Sequence, residues 1–179
     1  MRERVFLALG SNLPSPVGEP RDTLTVAIDA IAHLPGVTLV RSSSLRTTAP
    51  VSPIEQPDFV NGACEIALSE SRLSRPDAPR TLLADLLAIE RRFGRDRARE
   101  PRWGPRTLDI DLILFGDRVL DLPAADSLPA LTLPHPRLRE REFVLAPLAE
   151  IAPDVRVPPD GARIADLLER CVRRAGVGT

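Results

Sequence analysis

The sequence predicts an α+β fold, a mainly antiparallel sheet flanked by helices. Three observations carry the expectation: apolar runs of strand length, segments with apolar residues at helical spacing, and glycine or proline stops between them. With 179 residues and 43% hydrophobic content, the chain reads as one domain, residues 1–179, able to bury its own core.

Arg4 to Leu9 reads as the first strand, followed by a loop from Gly10 to Gly18. A helix starts at Pro20 or Arg21 and runs to Leu34. Its apolar residues Leu24, Ala27, Ile28, Ile31 and Leu34 keep helical spacing, and Pro35-Gly36 stops it. Val37 to Leu45 reads as a second strand and Phe59 to Leu68 as a third. The proline-rich stretch Thr47 to Asp58 between them is long enough to be a functional loop. After a polar break from Ser69 to Pro79, a second helix is expected from Thr81 to Phe93, with Gly94 as its C-terminal stop. Thr107 to Phe115 is a mostly buried strand, Gly116 to Leu122 a short hairpin, and helical pattern returns at Arg139 to Ala149 and Ile164 to Ala175. The order β-α-β-β-α-β, with C-terminal additions, is that of ferredoxin-like folds.

The fourth of these strands carries Asp109 and Asp111. Side chains alternate along a strand, so both carboxylates point to one face with Cα atoms about 7 Å apart. Two anions on an otherwise aliphatic strand need cations or donors to compensate them. Mg²⁺ suits the pair, because it takes oxygen ligands and sits between a few carboxylates and substrate phosphates. Immediately upstream, seven arginines crowd into Arg91 to Arg106: Arg91, Arg92, Arg95, Arg97, Arg99, Arg102 and Arg106. Guanidinium groups bind phosphate oxygens bidentately, so the combination makes a site for a polyphosphate such as a nucleoside triphosphate. The plainer alternatives stay open on these residues alone: a solvated basic loop, with the aspartates paired to Arg102 and Arg106.

Composition narrows the classes. A formal net charge of −1 gives no global attraction to nucleic acid or to an anionic membrane. All 24 basic residues are arginine, which rules out a Walker A phosphate loop and the protein-kinase lysine. Cys64 and Cys171 lie far apart without metal-ligand spacing and are expected as reduced core thiols. Val5 to Leu9 is too short for a signal h-region or a membrane span, so a cytoplasmic protein is expected.

Several motifs together resemble the 6-hydroxymethyl-7,8-dihydropterin pyrophosphokinase family. The most specific is Arg102-Trp103-Gly104-Pro105-Arg106-Thr107-Leu108-Asp109-Ile110-Asp111. Ala8-Leu9-Gly10-Ser11-Asn12-Leu13, Thr48-Ala49-Pro50, Gln56-Pro57-Asp58-Phe59-Val60-Asn61, Leu133-Pro134-His135-Pro136-Arg137 and Phe143-Val144-Leu145-Ala146-Pro147-Leu148 support it.

The resemblance implies transfer of an intact diphosphoryl group from MgATP to the hydroxymethyl oxygen of the dihydropterin, with AMP leaving. Asp109 and Asp111 would hold two Mg²⁺ ions, and Arg95 and Arg106 would be catalytic. Arg97, Arg102, Leu112, Thr132, His135 and Arg141 would contact ATP. Thr48, Pro50, Val51, Phe59, Asn61, Trp103 and Phe143 would form the pterin pocket: Phe59 and Phe143 stacking, Asn61 pairing with the pterin edge, Trp103 anchoring a lid bracketed by Gly94 and Gly104. The implied partners are these two small molecules, with no nucleic acid and no membrane, and a monomer is favoured. Two other classes remain in view. A regulatory binding module would use the same fold with structural aspartates. A metal-dependent glycosyltransferase would use Asp-x-Asp to hold a nucleotide diphosphate.

Overall fold

In a computed structural model, which describes residues 3–101, 103–125 and 128–176, the chain forms a five-stranded sheet with helices on both faces. The elements are β1 (Arg4–Ser11), α1 (Pro20–Ala32), β2 (Val37–Ser42), β3 (Arg46–Thr48), β4 (Phe59–Leu68), α2 (Glu70–Leu73), α3 (Ala78–Arg92), β5 (Asp109–Phe115), β6 (Leu120–Leu122), β7 (Leu131–Leu133), a 3₁₀ turn (Leu138–Glu140), α4 (Glu142–Ile151), β8 (Arg156–Val157), β9 (Ala162–Arg163) and α5 (Ile164–Gly176). The main sheet runs β2-β4-β1-β5, with β3 beside β4, and every pairing is antiparallel.

Both long helices form where expected, because their apolar stripes meet the same sheet face. Leu24, Ala27 and Ile31 of α1 and Leu82, Leu86 and Ile89 of α3 pack on Val5, Leu7, Leu9, Cys64, Ile66, Ile110 and Leu112. Gly94, at φ 87°, supplies the left-handed turn just past α3, and Gly36, at φ 69°, shapes the turn from Leu34 to Val37 between α1 and β2. The opposite face, with Phe6, Ala8, Ala63 and Ile113, is covered by Leu138, Val144, Leu145 and Leu148 of the 3₁₀ turn and α4, and by Leu167 of α5. That cover is partial. The part of this face left open becomes the site.

Some boundaries differ from expectation. The strand predicted over Val37 to Leu45 is interrupted at Ser43, whose hydroxyl accepts the Ala63 N–H at 3.0 Å and donates to the Ser44 carbonyl at 2.9 Å. Side-chain bonds thus take backbone partners that a continuous ladder would use. Gly116 to Leu122 is not a hairpin of its own: β6 pairs with β7 in a separate two-stranded sheet, which short-range pattern did not reveal. The polar break contains the short α2, and the small β8–β9 pair was also unforeseen. Both cysteines are free thiols; Cys64 is buried but Cys171 is only partly so, at the edge of the cavity described next.

Candidate active site

Asp109 and Asp111 lie on the open face, as two-residue alternation requires, while Ile110 and Leu112 point into the α1–α3 core. Across the sheet, Asp109 pairs in register with Gly10, and Gly10 with Asn61; Asp111 pairs with Ala8, and Ala8 with Ala63. The floor between the carboxylates and Asn61 is therefore built of the smallest residues. A Cβ on Gly10 would come within 3.0 Å of Asn61 Oδ1 and 4.0 Å of Phe59 Cδ1. Above this floor opens a cavity of about 770 Å³. Phe59 and Asn61 of β4 line it on one side of β1 and Asp109 and Asp111 of β5 on the other, with Thr48, Val51, Trp103, Phe143, Arg106 and Arg141 completing the wall.

The arginine loop folds back onto the carboxylates. Arg106 Nη1 donates to Asp109 Oδ2 at 2.5 Å and Arg97 Nη2 to Asp109 Oδ1 at 3.3 Å, while Arg95 Nη2 lies 3.7 Å from Oδ1. Burial alone would raise the Asp109 carboxyl, but Arg106, Arg95 and Arg97 outweigh it and hold it below the usual range. Asp111 goes the other way. Burial and the Asp109 charge raise it, against His135 Nε2 at 3.8 Å and Arg141 Nη1, which donates at 3.1 Å. His135 reaches this position because its N–H donates to the carbonyl of Ile113, at the β5 irregularity, at 3.0 Å. Its Nδ1 accepts the Arg137 N–H at 3.2 Å, so the neutral imidazole carries its proton on Nε2, facing Asp111.

Two carboxylates on one face, one of them destabilised by the other, form a donor set that fits a hard divalent cation. Among the described residues no three His, Cys, Asp or Glu side chains form a closed protein cage. The remaining ligands would be water and phosphate oxygens, the habit of Mg²⁺.

The side of the cavity next to Asn61 is polar at its rim. Asn61, 5% exposed, donates from Nδ2 to Thr48 Oγ1 at 2.8 Å. Trp103 adopts φ 69°, and its carbonyl accepts from Gln56 Nε2 at 3.0 Å. Phe59 and Phe143 both line the cavity.

Not every expected residue converges here. Leu112 is 3% exposed and its side chain sits in the core on the far side of the sheet, because it is one residue out of phase with Asp111. Thr132 lies on β7 outside the cavity lining and bonds to Asp121. Pro50 is also outside the lining, although its neighbours Ala49 and Val51 are in it. Arg95 is buried, lies outside the cavity lining and comes within 3.7 Å of Asp109 Oδ1. Arg102 lies outside the described residues.

Other participants were missed. Glu90 on α3 is 1% exposed, accepts the Ile110 N–H at 2.7 Å and binds Arg97 through both oxygens. It was legible as a carboxylate on the apolar stripe that includes Leu86, Ile89 and Phe93. Asn12 joins three loops, and the small residues Ala8 and Gly10 form the floor; nothing local marks the second role, since it depends on strand register.

A sequence model of the 7,8-dihydro-6-hydroxymethylpterin-pyrophosphokinase family (HPPK) matches residues 6–153. The chain belongs to this family. Among HPPK relatives, it is 46% identical to the 2-amino-4-hydroxy-6-hydroxymethyldihydropteridine pyrophosphokinase of Pseudomonas aeruginosa, over 96% of this chain and 93% of that one. The enzyme of the same name from Haemophilus influenzae is 40% identical over 92% and 91%. The HPPK-DHPS protein of Plasmodium falciparum, crystallised as wild type with pterin and p-hydroxybenzoate, superposes with a TM-score of 0.69 at 13% identity, covering 99% of this chain. This chain spans only 44% of that structure, and at such identity the likeness concerns the fold. Among the described residues no helix is long and apolar enough to cross a membrane.

Proposed function

We propose that this chain transfers the diphosphoryl group of MgATP to the hydroxymethyl oxygen of 6-hydroxymethyl-7,8-dihydropterin, releasing AMP, in folate biosynthesis. One observation carries the reading: a carboxylate pair ringed by arginines and an aromatic, amide-edged pocket share one cavity, with Gly10 in register between Asp109 and Asn61. Membership of the HPPK family and the names of its close relatives support the same activity. They weigh against the regulatory-module and glycosyltransferase alternatives.

Asp109 and Asp111 would hold Mg²⁺, two ions in the fuller form of the proposal. Bound there, Mg²⁺ supplies charge neutralisation at the phosphate oxygens and lowers the pKa of the attacking hydroxyl. The guanidinium groups of Arg106, Arg97 and Arg95, gathered around Asp109, would meet the polyphosphate, where charge develops in the transition state. Arg141 and His135 orient Asp111 and stand beside the nucleotide. The ring faces of Phe59 and Phe143 take the flat acceptor, and Asn61, held by Thr48, pairs with its amide-like edge. Val51 and Trp103 cover it. The acceptor oxygen attacks the β-phosphorus, the bond from that phosphorus to the bridging oxygen of AMP breaks, and the hydroxyl proton is lost to solvent.

The same proposal takes the strand order to be ferredoxin-like, the chain to be one domain acting as a monomer, and its compartment to be the cytoplasm. Incubation with MgATP and the hydroxymethyl dihydropterin, followed by identification of the nucleotide, tests the function. AMP formed in step with pterin diphosphate is expected. ADP, or ATP left intact, overturns the reading.

A further inference from the structure

Arg137 has no part in the assignments above, yet its guanidinium carbon lies 4.1 Å from the centroid of the Trp103 ring. That is the spacing of a cation stacked on an indole face. Trp103 needs such support. Its φ of 69° places a bulky residue in the left-handed region that favours glycine, a conformation that persists only when its surroundings enforce it. The backbone side is enforced by Gln56 Nε2 and Ser52 Oγ, which donate to the Trp103 carbonyl at 3.0 and 3.3 Å. On the ring side, the Arg137 guanidinium lies over the indole.

The segment that presents Arg137 also serves the other side of the cavity. The Arg137 N–H donates to His135 Nδ1 at 3.2 Å, and the opposite nitrogen of that ring faces Asp111 at 3.8 Å. A shift of the 135–137 backbone is therefore felt both at the carboxylates and at the indole. Glu140, 3.8 Å away, balances part of the Arg137 charge without removing the side chain from the ring.

We propose that Arg137 is a positioning residue for the acceptor: its guanidinium, stacked on Trp103, holds the strained indole at the cavity wall. The kinetic consequence rests on the function proposed above; the stacking itself does not.

Because Trp103 is the only tryptophan, its fluorescence reads the contact directly, without substrate. Arg137 is partly exposed, so Arg137→Gln and Arg137→Lys should both fold. Acrylamide quenching is measured on wild type and both variants, then KM for the hydroxymethyl dihydropterin and kcat. In Arg137→Gln the quenching constant is expected to rise about twofold, and KM about 3- to 20-fold with kcat within about threefold. Arg137→Lys, which keeps a cation, should recover most of both losses. Unchanged quenching in Arg137→Gln overturns the proposal. So does a rise that Arg137→Lys fails to recover, or a rise without any change in KM. If wild type forms no AMP with the pterin, the function fails while the quenching series still judges the contact.

Discussion

Asn12 donates from Nδ2 to Gln56 Oε1 at 3.1 Å, and Gln56 passes the connection on through its own amide to the Trp103 carbonyl at 3.0 Å. Asn12 also donates to the Pro57 carbonyl and accepts the Arg106 N–H on Oδ1 at 2.8 Å, all from a side chain 2% exposed. One amide thereby joins the loop after β1, the loop before β4 and the arginine loop.

Asn12→Ala would leave buried partners unsatisfied at a cost of about 1–3 kcal/mol. Because the three loops carry groups from both sides of the cavity, kcat/KM should fall by about 10- to 100-fold as well. Urea denaturation and steady-state kinetics check the pair of effects. A variant with full activity and lowered stability would show the junction to be structural only.

The two aspartates should separate by stability and not by activity. Asp109→Asn and Asp111→Asn are each expected to lose about 10³-fold or more in turnover. With a chelator present, however, Asp109→Asn should melt below wild type, since it removes the counter-charge of Arg106, Arg95 and Arg97. Asp111→Asn should melt at or above wild type, because it relieves repulsion between neighbouring carboxylates. Near-normal activity in either, or the reverse order of melting, contradicts the assignment.

Glu90 is pushed up to about 7, first by burial and then by the charge of Asp109. A carboxyl raised in the folded state contributes stability that is complete below its unfolded value and lost as pH rises through the folded one. The melting temperature of Glu90→Gln minus that of wild type should therefore grow more positive between about pH 5 and pH 8.5. A difference that stays flat or falls across that window would remove this account of Glu90.

Gly10→Ala introduces a Cβ within 3.0 Å of Asn61 Oδ1, so Asn61 must give way. KM for the pterin should rise about tenfold while KM for ATP stays near wild type. Asn61→Ala should show the same asymmetry more strongly. Equal losses for both substrates in these variants would place Asn61 away from the acceptor edge.

The elements closest to their sequence readings are those whose signal is local. Leu24, Ala27 and Ile31 announce α1 by spacing alone, and Asp109 and Asp111 share a face because strands alternate. Leu112 shows the limit of reading a site from neighbouring residues: one place along the strand, the same alternation turns it to the opposite core. Glu90 could have been suspected from its place on an apolar stripe, but its partners Arg97 and Ile110 come from other segments.

By itself, the chain's order of residues determined the helix positions, the acidic pair, the arginine crowding and the family motifs, because each depends on neighbours a few places apart. Only the tertiary structure decided which small residues floor the cavity, that Asn12 ties three loops, and that Arg137 meets Trp103. Those are contacts between segments distant along the chain, set by strand register and loop closure, which no local period encodes.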